Sequence, residues 1–177
     1  MNAGLLLIPL LFIRFILLGL LNKDALKRAA FFPPMKGLEE IFYLLYQLAT
    51  LFIFIYLFFL TIHLDDWVSF VGLSTYVLGC LLLLMATITF AEKKQLIKTG
   101  LFRLSRNPMY LGYFIYFLGC VFLTRSWVLF FSLLLFQFAT HWIILSEERW
   151  CEETFGLDYL TYKKKVPRYF LYGKAKN

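Results

Sequence analysis

Charged side chains are scarce in this chain, and their scarcity excludes an ordinary soluble domain. Only 16% of the 177 residues are charged, whereas 61% are hydrophobic and the mean hydropathy is +0.72. Soluble domains are roughly 45–50% apolar and about 25% charged. The sequence therefore predicts an integral membrane protein and leaves little chain for a separate soluble domain.

Cysteine and histidine are also too few and too scattered to build a metal site. The three cysteines, Cys80, Cys120 and Cys151, have no CxxC spacing, and the chain has only two histidines. This pattern supports neither a zinc site nor a disulfide framework, so we predict packing roles for the cysteines and no bound metal. Internal repeats and low-complexity linkers are absent as well, and we expect a single membrane domain over 1–177.

Five apolar runs offer candidate membrane spans, each of which needs about 20 residues to cross the bilayer. The runs are 3–21, 39–64, 67–91, 108–124 and 127–145. The first resembles a signal peptide in length, but it lacks a charged n-region and contains Arg14, so we interpret it as a span. The sequence thus predicts an all-α, polytopic fold with five transmembrane helices.

Lysine and arginine alternate between the loops that join these spans. The loops at 22–38 and 92–107 carry four and five of them, the tail from residue 146 carries seven, and the two other connections carry only Arg125. Under the positive-inside rule, the N-terminus lies outside, and both basic loops and the tail are cytoplasmic. The net charge of +7 is therefore interpreted as a topology signal with some attraction to lipid headgroups, and we expect no nucleic-acid partner.

The stretch SRNPMYLGYF at 105–114 predicts a helix start at the cytoplasmic end of the fourth span. Asn107 suits the N-cap and Pro108 suits the first helical position. Four more side chains gather at this helix start: Arg103, Arg106, Tyr110 and Tyr113. Helix N–H groups and arginine bind carboxylates, while tyrosine rings can hold a cation. Together they favour a small zwitterionic ligand.

A second group of polar residues ends the fifth span. Gln137, His141 and Glu148 are spaced by four and seven residues and share one helix face, with Glu147 a step round. At membrane depth such residues usually face a protein interior or a wet cavity. The alternatives are an interhelical hydrogen bond for Gln137 and His141, and a solvated helix end for the two glutamates.

The helix that bears these residues is expected to continue past the membrane to Phe155, where Gly156 can cap it. Beyond it, Tyr159, Tyr162 and Val166 form the apolar stripe of a short amphipathic helix. We predict that this C-terminal helix lies on the cytoplasmic side, over the helix start at 105–114 or on the headgroups.

Two segments, TGLFRLSRNPMYLG at 99–112 and EERWCEETFGLDYLTYKKKVPR at 147–168, carry a resemblance. They resemble the isoprenylcysteine carboxyl methyltransferase and phospholipid methyltransferase superfamily of integral membrane enzymes, over roughly residues 94–170 and with intact spacing. The resemblance implies a methyltransferase that uses S-adenosylmethionine. It also accounts for the absence of a GxGxxG after a strand, because these enzymes bind the cofactor without a Rossmann fold. Residues 1–91 would then be three N-terminal spans, and 92–177 the cofactor-binding catalytic part.

The resemblance implies a cofactor site built from residues on both sides of span four. The expected contacts are Lys94, Gln95, Leu96, Ile97, Phe102, Asn107, Pro108, Met109, Tyr110 and Glu147, the last holding hydroxyl or amino groups. Two positions depart from the eukaryotic isoprenylcysteine enzymes. Asn107 replaces a histidine and cannot titrate, and Ile143 replaces a substrate-binding arginine.

Two further residues are candidates for chemistry on the acceptor. A carboxylate needs a neighbouring cation to offset its desolvation. Arg106 is better placed than Arg103 or Arg149, because it precedes the cap of span four. An amine needs a proton acceptor, for which Glu148 and His141 are candidates. We therefore predict Arg106 and Glu148 as the catalytic residues.

The resulting hypothesis is isoprenylcysteine carboxyl O-methylation of a lipophilic substrate that enters from the bilayer beside spans four and five, at a site facing the cytoplasm. The alternative is methylation of a phospholipid amine or another small acceptor. Two hypotheses from other classes stay open: a membrane reductase that uses NADPH, and a non-catalytic membrane protein.

Overall fold

The computed structural model describes residues 1–92 and 96–169, which fold almost wholly into helices. In chain order these are α1 (Ala3–Leu21), α2 (Lys23–Ala29), α3 (Leu38–Leu57), α4 (Trp67–Glu92), α5 (Pro108–Thr124), α6 (Trp127–Phe155) and α7 (Leu157–Lys165). A 3-10 turn at Gly100–Arg103 precedes α5, and α1 contains a π-helical segment at Phe12–Leu17. No strand forms within the described residues, where one isolated bridge joins Asn2 to Thr61. The predicted all-α fold is confirmed.

Four of the described helices, α1, α3, α4 and α6, are long and apolar enough to cross a membrane. The chain is thus suited to several membrane passes. Helix α5 is apolar but has only 17 residues, fewer than the ~20 that span the hydrocarbon. The five-span count therefore stays a prediction, as does the orientation.

The second predicted span, 39–64, is too long because α3 ends at Leu57. Beyond it, the chain turns to pair with the N-terminus. The Asn2 side-chain amide donates to the Phe58 carbonyl at 2.7 Å, and the Ile62 N–H donates to the Met1 carbonyl at 2.8 Å. These contacts replace the helical hydrogen bonds that would have continued α3.

Helices α4 and α5 pack closely through glycines. A Cβ added to Gly79 would lie 2.4 Å from the backbone nitrogen of Tyr116, and one added to Gly119 would lie 2.4 Å from that of Tyr76. Small residues allow such close approach of membrane helices. The same two tyrosines fasten α1, since both hydroxyls donate to the Leu6 carbonyl, that of Tyr76 at 2.9 Å. Buried hydroxyls thereby find acceptors where water is absent.

Helices α3 and α6 pack through aromatic rings and one ion pair. Phe42 and Trp142 stack with ring centroids 4.6 Å apart and planes within 2°. At one end of the contact between the two helices, Arg149 donates to both carboxylate oxygens of Glu39, at 2.7 and 2.6 Å. This bidentate bond fixes the part of α6 that carries the glutamate pair beside the start of α3.

The predicted continuation of α6 is confirmed. The helix runs to Phe155, and Gly156 ends it with a φ of +53°, which glycine adopts readily. The predicted C-terminal helix is confirmed as α7, with Tyr159 and Tyr162 buried along one face. The inclusion of Val166 in its stripe was wrong, because this residue precedes Pro167 and has extended backbone beyond the helix end.

Candidate active site

A cavity of about 850 Å³ lies between α1, α3, α5 and α6, and is called the site cavity below. Its walls include Arg14 of α1, Tyr46 of α3, Tyr110 of α5 and Glu147 of α6. Binding pockets for small molecules typically occupy about 300–1,000 Å³. The site cavity is therefore large enough for an organic cofactor together with the reacting part of a second molecule.

The start of α5 forms one polar edge of the site cavity. Asn107 takes the N-cap position and Pro108 the first helical position, as predicted, but the Asn107 side chain makes no capping hydrogen bond. Its amide instead donates to the Arg168 carbonyl at 3.4 Å, and the Ser105 hydroxyl donates to the same oxygen at 2.9 Å. The predicted N-cap position is thus confirmed without a side-chain cap, and the Asn107 amide instead contacts residues 166–169 after α7, called the C-terminal segment below.

Tyr110 and Glu147 join α5 to α6 inside the site cavity. The Tyr110 hydroxyl donates to a Glu147 carboxylate oxygen at 2.7 Å. Both side chains line the cavity. The pair places a carboxylate of fixed orientation where a ligand with a positive centre, a hydroxyl or an amino group can meet it.

Glu148 lies at the centre of a buried cluster of charges, called the Glu148 ion cluster. Arg168 donates to both of its oxygens, at 2.9 and 2.8 Å, Arg106 contacts one at 3.0 Å and the Lys163 amine lies 3.8 Å away. Glu148 is only 4% exposed and Arg106 only 8%. Hydrogen bonds with Glu148 raise the pKa of the Arg168 guanidinium above its usual value. The cations offset the cost of burying this carboxylate.

The same cluster holds α7 and the residues after it against the turn that precedes α5. The Arg106 N–H donates to the Pro167 carbonyl at 3.0 Å, and the Arg106 guanidinium donates to the Lys163 carbonyl at 3.3 Å. The Tyr162 hydroxyl donates to the Phe102 carbonyl at 2.6 Å. Helix α7 therefore covers this edge of the site cavity, the first of the two placements expected for it.

Comparison with known protein families shows to which family the chain belongs. The phospholipid methyltransferase family matches residues 66–158, more than half of the chain. The chain belongs to this methyltransferase family. Its matched region runs from the start of α4 to the start of α7 and contains both the α5 start and the glutamate pair.

A protein-S-isoprenylcysteine O-methyltransferase from Schizosaccharomyces pombe is similar to part of the chain. The two are 39% identical over 74 residues, which make up 41% of this chain and 31% of that protein. The aligned part thus spans less than a third of the relative. No solved structure matches the chain.

Most of the site residues predicted from the sequence line the site cavity of this family member. They are Leu96, Ile97, Phe102, Arg106, Asn107, Pro108, Met109, Tyr110, Glu147 and Glu148. Lys94 and Gln95 lie outside the described residues. The structure brings the described candidates together, and the ligand contacts and catalytic roles assigned to them stay predictions.

Other candidates lie elsewhere. Among the described residues, the cavity lining does not include Arg103, Arg149 or His141. Arg149 is paired with Glu39, and the His141 Nδ1 lies 3.1 Å from the Tyr169 hydroxyl. The interhelical hydrogen bond considered for His141 is thus replaced by a contact with the C-terminal segment.

Several parts of this site were not predicted from the sequence, among them Arg14, Arg168 and the contribution of α3. Arg14 lines the site cavity, and Arg168 pairs with Glu148. The signal for Arg14 was a lone arginine within an apolar span, which usually faces a cavity. Arg168 is the last residue of the second motif, at 147–168. No sequence signal marked α3, whose Tyr46 and Thr50 also line the cavity.

Proposed function

We propose that this protein is a membrane methyltransferase that uses S-adenosylmethionine to esterify the carboxylate of an isoprenylcysteine. One observation carries the proposal: a single cavity joins the α5 start and the Glu147 carboxylate to exposed residues of α1 and α3. Phe15 of α1 and Gln47 of α3 line the cavity and are also exposed on the outside of the helices. A lipophilic substrate can enter there from the bilayer while the polar cofactor occupies the edge beneath α7.

The residues at the polar edge fit S-adenosylmethionine. The ligand carries a sulfonium, an amino group, a carboxylate and ribose hydroxyls. Glu147 can accept from the amino group or the hydroxyls, and aromatic rings such as Tyr110 can face a positive centre. Within the described residues, the buried Nε of Arg106 finds no acceptor. A carboxylate or hydroxyl oxygen of the cofactor would satisfy this donor, and an unsatisfied buried donor costs about 1–3 kcal/mol.

The bound cofactor would supply a methyl group on a sulfonium, which passes to a carboxylate oxygen while the carbon–sulfur bond breaks and its electron pair returns to sulfur. No proton has to move, so Asn107 does not need to titrate. The chain's own contribution is alignment and exclusion of water. Through the Glu148 ion cluster, Arg106 and Glu148 hold the segment around Arg168 over the site. The roles of Arg106 and Glu148 are therefore to position that cover and to orient the cofactor.

The cytoplasm is the proposed side for the cofactor, because the described parts of the basic loop and of the basic tail, 96–107 and 157–169, border the polar edge. Lysine and arginine concentrate on the cytoplasmic side of membrane proteins. The apolar part of the site cavity, with Leu10, Phe54 and Phe117, is the proposed location of the prenyl chain.

A second candidate is methylation of a phospholipid amine, which the description of the matched family favours. An amine acceptor must lose a proton before or during transfer. Glu147 is the carboxylate that would accept it, because Glu148 is already paired with Arg106 and Arg168. This assignment replaces Glu148 as the base for the amine hypothesis.

Methyl transfer from radiolabelled S-adenosylmethionine tests the proposal. The purified protein is offered N-acetyl-farnesylcysteine and, separately, phosphatidylethanolamine. Base-labile, volatile label from the first acceptor is the expected result. Glu147→Gln should lose most of this activity, whereas Arg125→Gln, at an exposed pair with Asp66, should keep it. Base-stable label in the lipid headgroup alone would refute the ester and support the amine.

A further inference from the structure

We infer that Arg14 binds the anionic group of the methyl acceptor, an inference that rests on the proposed function for the identity of the acceptor. Arg14 belongs to α1, outside the region matched to the family, and lines the site cavity together with Phe15, whose side chain is exposed. The ligand class is a lipid-linked oxyanion, which is the carboxylate of an isoprenylcysteine or the phosphate of a phospholipid.

The position of Arg14 within its helix points to a binding role. Arg14 is in the π-helical segment Phe12–Leu17 of α1. Such segments are rare and often mark functional sites. A charged side chain within a membrane helix is costly unless it faces a partner or a wet cavity. The π-helical segment of α1 thus contains Arg14, which is the only charged side chain of this helix.

The hydrogen bonds of Arg14 leave donors for a ligand. Its guanidinium donates to the Ala29 carbonyl at the end of α2, which anchors one edge of the group. A guanidinium has five N–H donors in a fixed fork. Within the described residues, no carboxylate lies within ion-pair distance of Arg14. The remaining donors can therefore bind a carboxylate or phosphate in bidentate fashion.

The other arginines near the site have different assignments. Arg106 is paired with Glu148, and Arg149 is paired with Glu39 outside the cavity lining. Arg28 lines the cavity but turns toward α4, where it donates to the Phe90 carbonyl at 3.2 Å and lies over that residue's ring.

The site cavity carries a carboxylate on one wall and a guanidinium on another, which suits the binding of a cationic cofactor and an anionic acceptor. Glu147 and Tyr110 stand on the side of α5 and α6, where the cationic cofactor is proposed, and Arg14 stands on the side of α1, where the lipid enters. Arginine thus selects acceptors with an oxyanion over neutral lipids of the same shape.

Calorimetry on protein saturated with S-adenosylhomocysteine tests this without turnover. Each oxyanion is paired with a neutral counterpart: N-acetyl-farnesylcysteine with its methyl ester, and lysophosphatidic acid with a monoacylglycerol of the same chain. Wild type should bind at least one anionic ligand more tightly than its counterpart. Arg14→Gln should weaken that ligand by about tenfold to a hundredfold, the loss expected for hydrogen bonds to a charged group.

The controls separate binding from folding. Arg14→Gln should leave the affinities for the neutral ligand and for S-adenosylhomocysteine within about twofold, and Arg125→Gln should change none of them. Arg14→Lys keeps the charge but loses the fork, so its anion affinity should lie between those of wild type and Arg14→Gln. If Arg14→Gln does not fold, the lysine variant decides by the same comparison.

Three results would overturn the inference. Equal loss for the anionic and neutral ligands would make Arg14 structural, and lost affinity for S-adenosylhomocysteine would make it a cofactor ligand. Equal affinity of wild type for both members of each pair would exclude anion recognition. If only the phospholipid pair shows the effect, the isoprenylcysteine proposal fails while the role of Arg14 stands.

Discussion

Replacement of Glu148 by alanine should destabilise the protein more than any other single removal of a charge at the site. The carboxylate is 4% exposed and contacts two arginines at 2.8–3.0 Å. Its removal leaves Arg106, itself 8% exposed, as a buried cation without a counter-ion. Breaking a buried pair in this way typically costs about 3–5 kcal/mol. For a chain of this size, that corresponds to a fall in Tm of about 6–20 °C.

Two neighbouring variants provide a graded comparison. Arg168→Ala should cost about 1.5–3 kcal/mol, because Glu148 keeps Arg106 as a partner and loses only its bonds from Arg168. Glu152→Ala removes a half-exposed pair with Lys163 and should cost at most about 1 kcal/mol. The expected order of Tm is therefore Glu152→Ala above Arg168→Ala above Glu148→Ala.

The assay is thermal unfolding in detergent with a thiol-reactive fluorescent dye. Cys120 is fully buried in the folded protein and becomes reactive when the helices separate. A Tm for Glu148→Ala within about 2 °C of wild type, equivalent to less than about 1 kcal/mol, would contradict the reasoning. It would mean that water or a local rearrangement compensates Arg106, and that the cluster does not hold the C-terminal segment in place.

Three further predictions test the packing, the cofactor edge and the orientation. Gly79→Leu should abolish the yield of folded protein, because its Cβ would lie 2.4 Å from the Tyr116 backbone. Gly19→Ala should fold, because its Cβ would lie 3.6 Å from a side chain. Size-exclusion chromatography measures the yield of each variant. Tyr110→Phe removes the donor to the neighbouring carboxylate and should weaken S-adenosylhomocysteine about tenfold by calorimetry; unchanged affinity would remove this residue from the site. A reporter fused after Asn177 should be active only in the cytoplasm, and activity only outside would reverse the proposed orientation.

The helices and much of the site could be predicted from the sequence because their signals are local. Apolar runs indicated the helices, and Pro108 and Gly156 marked the start of α5 and the end of α6. The resemblance implied that Tyr110 and Glu147 both contact the cofactor, and the structure brings the Tyr110 hydroxyl to 2.7 Å from a Glu147 carboxylate oxygen.

Other features depend on contacts between distant parts of the chain and have no local signal. The end of α3 at Leu57 is set by hydrogen bonds with the N-terminus. Asn2 and Phe58, which form one of these bonds, are 56 residues apart in the sequence. The partner of Glu148 was not foreseen, because Arg168 reaches it only after α7 turns back over the α5 start. The contribution of α1 to the site cavity was not predicted either. A lone arginine in an apolar span indicates that the side chain faces a protein interior or a cavity, but it does not distinguish the two.

The central claim is that the site cavity binds S-adenosylmethionine through the edge that contains Glu147. Calorimetric titration of the purified protein with S-adenosylhomocysteine and with NADPH tests it most directly, with Glu147→Gln measured in parallel. We expect one bound S-adenosylhomocysteine per chain, no heat of binding for NADPH, and at least about tenfold weaker binding of S-adenosylhomocysteine by the variant. Binding of NADPH without S-adenosylhomocysteine, or equal affinity of Glu147→Gln and wild type, would contradict it.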